Sequence, residues 1–135
     1  MKRTFLVIFI ISLLAGCTST STREDMQKDP ASLKQTQAFS KDYQLIYERI
    51  SKRSEVCSPA GTVSQLYPEK GFGQVDFLNT YSIPMEYLAT VKIEKAGSGS
   101  KVTIASGNNW AKQKYIDDIL RWASGDTKCT KGWIN

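Results

Sequence analysis

Residues 86–105 read EYLATVKIEKAGSGSKVTIA, and their alternation decides the fold. Tyr87, Ala89, Val91 and Ile93 alternate with Leu88, Thr90, Lys92 and Glu94, the period of two that puts one apolar face on a half-buried strand. Ala96-Gly97-Ser98-Gly99-Ser100 supplies turn chemistry, and Lys101-Val102-Thr103-Ile104-Ala105 resumes the alternation, so the stretch is expected to be an antiparallel hairpin. Upstream, Gly71-Phe72-Gly73 opens a further run, Gln74-Val75-Asp76-Phe77-Leu78, bounded by Asn79. Before it, Val63, Leu66 and Tyr67 form a less regular candidate strand.

Helical spacing flanks this β region on both sides. Phe39, Tyr43, Ile46 and Ile50 recur at three and four residues from about Thr36, predicting one apolar stripe on a helix that ends near Ser54, before Cys57 and the Ser58-Pro59-Ala60-Gly61 breaker. After Ser106-Gly107, Asn108 or Asn109 is placed to cap a second helix. Tyr115, Ile119 and Trp122 form one row on it and Ile116, Leu120 and Ala123 the next, ending at Gly125. Helix, three to four antiparallel strands, helix implies an α+β two-layer sandwich over residues 36–135, with both helices on one sheet face.

The N-terminus follows different rules. Lys2 and Arg3 precede the apolar run Phe5 to Ile11, and Leu13-Leu14-Ala15-Gly16 leads to Cys17. A basic tip, a short apolar segment and small residues make the three-part pattern of a secretory signal over residues 1–16. The run falls short of the roughly 20 apolar residues that span a bilayer. Residues 17–35 are rich in Ser, Thr and charge, contain Pro30, and are expected to form a flexible tether.

Leu14-Ala15-Gly16-Cys17 resembles the lipobox of bacterial lipoproteins. Over these first seventeen residues the resemblance implies that the Cys17 thiol is alkylated with diacylglycerol, that the chain is cut between Gly16 and Cys17, and that acyl chains such as palmitate hold the mature protein on a membrane it does not cross. A single acyl chain binds a bilayer only marginally, and two or three bind it stably. Thr18 rather than Asp behind the cysteine implies, by the same resemblance, the outer membrane, and the domain is expected on its periplasmic face. With Cys17 taken by lipid, Cys57 and Cys129 remain as an even pair in an oxidising compartment, and a disulfide between them is expected.

The formal charge is +5, and the leader carries two basic residues and no acid, so about +3 remains on a mixed surface. No basic block or stacking-aromatic pattern points to nucleic acid. The chain has no His, the commonest general base and metal ligand, and its cysteines lack metal spacing. Asp76 and Glu86 are the carboxylates whose convergence across strands would suit glycoside chemistry, with solvent-facing strand positions as the plainer expectation. Asp117 and Asp118 are expected as surface charge. Ser98-Gly99-Ser100 and Gly71-Phe72-Gly73 lack the context of a phosphate cradle and are expected as turn and strand-edge glycines. Among the aromatics, Tyr81 and Trp133 are the candidate binding residues, Trp133 either covering the core or meeting a partner.

These features lead to the expectation of a non-catalytic envelope lipoprotein without cofactor or metal, membrane-bound through its lipid and docking an envelope protein. The alternative is a lipoprotein that binds an inhibitor-type target or small ligand, for example neutralising a toxin or wall hydrolase. Oligomeric state is open.

Overall fold

The computed structural model describes residues 22–58, 61–107 and 112–130. The order of elements is α1 (Arg23–Lys28), β1 (Leu33–Phe39), α2 (Tyr43–Cys57), β2 (Thr62–Tyr67), a 3-10 turn (Pro68–Lys70), β3 (Phe72–Asn79), β4 (Glu86–Ala96), β5 (Gly99–Ser106) and α3 (Lys112–Ala123). All five strands are antiparallel neighbours in one open sheet, in the order β1-β5-β4-β3-β2. The fold class is α+β, as the sequence implies.

The hairpin forms where expected. Val91 pairs with Ile104 and Ile93 with Val102, and all four are fully buried together with Ala89, Val75 and Phe77. Because successive strand residues point to opposite faces, this set defines one apolar face of the sheet. Helices α2 and α3 cover that face with Ile46, Ile50, Tyr115, Ile116, Ile119 and Trp122. Phe77 lies between helix and sheet, 6.0 Å from the Tyr115 ring and 6.4 Å from the Trp122 ring.

Three expectations need correction. Phe39 does not begin the first helix but ends β1, and the helix starts at Tyr43 because Asp42 caps it, accepting from the Gln44 N–H at 2.8 Å. The sheet gains a fifth strand, since β1 pairs with β5 from Leu33↔Ser106 to Phe39↔Ser100. Residues 22–35, expected as tether, belong to the folded domain: they form α1 and the start of β1. Met26 of α1 is fully buried, and its terminal methyl carbon would lie 3.4 Å from a Cβ at Gly107. Helix α1 sits on the sheet face opposite α2 and α3, for Arg23 bonds Asp76, whose neighbours Val75 and Phe77 point into the core.

Cys57, closing α2, is bonded to Cys129 across a separation of 72 residues, with Cα atoms 5.2 Å apart. The tail is also held by arginines: Arg49 donates to the Ala123 carbonyl and Arg53 to the Thr127 carbonyl, each at 3.0 Å. These bonds satisfy carbonyls at and beyond the C-terminus of α3, which its own turns leave open. Among the described residues, no helix is long and apolar enough to cross a membrane.

Candidate functional site

The face of the sheet away from α2 and α3 is polar, and α1 divides it. At its centre is the Asp76 carboxylate, which is buried. Its Oδ1 accepts from the Thr90 hydroxyl at 2.6 Å and from the Arg23 Nε at 3.3 Å, while a second Arg23 nitrogen meets Oδ2. The Gln74 amide donates to the Thr90 hydroxyl at 3.2 Å. The bond to Asp76 raises the Arg23 pKa above its ordinary value, against the lowering effect of partial burial. These bonds fasten α1 to β3 and β4 through the Asp76 carboxylate.

Beside α1 lies a shallow cleft of about 300 Å³, lined by Gln27, Lys34, Thr90, Lys92, Glu94 and Thr103 among others. Glu94 bridges two ammonium groups, Lys92 at 2.8 Å and Lys101 at 3.2 Å. Hydrogen bonding from Lys92 holds the Glu94 carboxyl below the usual carboxylate range. Lys92 also lies 5.1 Å from the Phe72 ring centroid. Phe72 in turn meets Tyr67 with centroids 4.8 Å apart, under Lys70 at 5.7 Å. The cleft therefore offers ammonium, amide and hydroxyl groups beside an aromatic pair, a surface able to hydrogen-bond a polar ligand.

A second surface is the β3–β4 loop. Tyr81, Ile83 and Met85 are 82%, 100% and 45% exposed, in a loop that also holds the cis Ile83–Pro84 bond. Three large apolar side chains on one six-residue loop exceed the scattered exposure that needs no explanation.

No family model, curated protein or solved structure matches this chain.

The residues singled out in the sequence are distributed as follows. Asp76 and Glu86 do not converge: Asp76 pairs with Thr90 and Glu86 with Asn79, about 10 Å along the strand. The expectation that Asp76 faces solvent is wrong, because α1 covers it. Asp118, expected as surface charge, is also buried, bound by Lys114 at 3.0 Å, Arg121 at 2.8 Å and the Thr130 hydroxyl at 2.6 Å. Asp117 is exposed and accepts from the Gln113 amide at 2.9 Å. Gly71 takes a left-handed conformation after the 3-10 turn, and Gly99 begins β5. Gly16, Cys17, Asn108, Asn109 and Trp133 lie outside the described residues. Among the described residues, no cluster of three or more His, Cys, Asp and Glu could hold a metal.

Sequence reasoning missed the Arg23–Asp76–Thr90 cluster. A signal was present: Thr22-Arg23-Glu24-Asp25 has the form of a capping box, and the Thr22 hydroxyl does accept from the Asp25 N–H at 3.1 Å.

Proposed function

We propose that this protein is a lipid-anchored module of the bacterial cell envelope, held by an acylated Cys17 on the periplasmic face of the outer membrane, that binds another envelope component without catalysing a reaction. The observation that supports it is the pairing of Cys57 with Cys129. With those two bonded to each other, Cys17, behind an apolar run and two small residues, is the one cysteine of the sequence left over for modification. A disulfide between distant residues suits an oxidising compartment. The polar cleft beside α1, with Lys34, Lys92 and Thr103 in its wall, is the binding surface on this reading.

Metabolic labelling with a palmitate analogue tests the anchor. The wild-type chain should incorporate label and fractionate with outer-membrane density, and Cys17→Ala should do neither. Normal membrane fractionation of Cys17→Ala would refute it. Pull-down from solubilised envelopes tests the binding role, with a stoichiometric partner that is lost on the double substitution Lys34→Glu, Lys92→Glu. Capture of a wall hydrolase whose activity falls with added protein would replace this reading with that of an inhibitor.

A further inference from the structure

We propose that the β3–β4 loop is a second membrane contact, in which Tyr81, Ile83 and Met85 enter the interface of the same bilayer that holds the lipid on Cys17. The inference rests on the anchor proposed above. It follows from where the fold begins. Only Thr18 to Thr22 separate Cys17 from Arg23, the first residue of α1. Even fully extended, that stretch reaches about 20 Å. An eighteen-residue tether would have held the domain well clear of the lipid; five residues hold it against the surface.

The rim presented there is set by the packing of α1. Arg23 is bonded to Asp76 on β3, and β3 runs only to Asn79, about 10 Å further on, before it enters the loop. Met26 lies against Gly107, just after β5, beside the carbonyls of Tyr87 and Leu88 near the start of β4. Helix α1 therefore starts over the middle of the polar face and packs its Met26 at the end of the sheet from which the loop projects. The opposite end carries the β4–β5 turn, where Lys95 and Lys101 flank small, polar residues.

The loop's composition fits a lipid interface. Residues 79–85, Asn-Thr-Tyr-Ser-Ile-Pro-Met, carry no charge, so insertion desolvates no ion. Ile83, wholly exposed, has nothing to lose by leaving water, and tyrosine with an apolar ring and polar hydroxyl is suited to the head-group level. With the acyl chains already confining the domain, the loop needs only weak affinity, because its binding is intramolecular.

The cysteine chemistry permits a clean experiment. With Cys17 acylated and Cys57 bonded to Cys129, Ile83→Cys introduces the sole free thiol, and it does so on a side chain that packs against nothing. The full lipidated protein, labelled there with an environment-sensitive nitrobenzoxadiazole and reconstituted into phosphatidylethanolamine–phosphatidylglycerol vesicles, should show blue-shifted emission quenched by doxyl lipids. The same label at Ser98→Cys, in the β4–β5 turn, should emit as in water. Water-like emission at position 83 from protein that floats with the vesicles overturns the loop contact and leaves the anchor standing. A shift at position 83 that requires added envelope protein also overturns it, by assigning the loop to a protein partner. Mass spectrometry finding Cys17 unmodified removes the anchor and the loop contact with it.

Discussion

Asp76 shows how much one side chain decides in this fold. It sits on an inner strand, points away from the main core, and is buried beneath Arg23 of α1. Asp76→Asn keeps the size but leaves Arg23 without its charge partner. Since Arg23 is part-exposed and can turn to water, the expected loss is about 2 kcal/mol, less than for a wholly buried pair. Urea unfolding measures it, with faster hydrogen exchange over residues 23–28 as the sign that α1 is what loosens. Asp117→Asn, on an exposed position, should stay within about 0.5 kcal/mol. Two glycines set backbone approach. A Cβ on Gly73 would stand 2.5 Å from the Tyr47 ring, and one on Gly99 would stand 2.2 Å from the Phe39 carbonyl oxygen. A ring can tilt and a paired strand end cannot, so Gly99→Ala should lower the melting temperature more than Gly73→Ala, the former costing about 2–3 kcal/mol.

At the scale of elements, the disulfide joins the last turn of α2 to the segment after α3. Closing 72 residues restricts the unfolded chain and should stabilise the domain by about 4 kcal/mol in the chain-entropy account. Cys57→Ser and Cys129→Ser should therefore lower the melting temperature equally, and the double variant should add nothing; unequal shifts would mean that the thiols act separately. The elements were legible in proportion to what they bury. Strands β4 and β5 put Ala89, Val91, Ile93, Val102 and Ile104 into the core, and that burial is the alternation visible in the sequence. Helix α3 announces itself through Tyr115, Ile119 and Trp122. Strand β1 is an edge whose central residues Lys34 to Ala38 are all exposed, so it carries no apolar period, and its terminal Phe39 falls by accident into the spacing of the helix that follows. Helix α1 has six residues and one buried side chain, too few for any periodicity. The cluster around Asp76 was hidden for the same reason, since its burial depends on an element that composition alone assigns to a tether.

For the whole molecule, charge and attachment matter most. Glu94 is held below the usual carboxylate range chiefly by Lys92. A depressed folded-state pKa means that its contribution is complete at neutral pH and is lost as the pH falls below the ordinary glutamate range and through the lowered value. The group is partly exposed, so the loss should be a few tenths of a kcal/mol at most. Comparing the urea midpoint at neutral and acid pH for wild type and Glu94→Gln isolates it: the variant should show the smaller acid-induced decrease. Attachment has a mechanical side. Any pull transmitted through the N-terminus arrives first at α1, which is fastened by Arg23 and Met26 and belongs to no strand ladder. Under load that short helix should peel away before β1 unzips from β5, releasing the ten residues from Arg23 to Ser32 and lengthening the leash by about 30 Å. If Cys17 carries the proposed anchor, the five-stranded body would stay intact while the gap beneath it widens, and the segment that limits that gap at rest would serve as slack under tension.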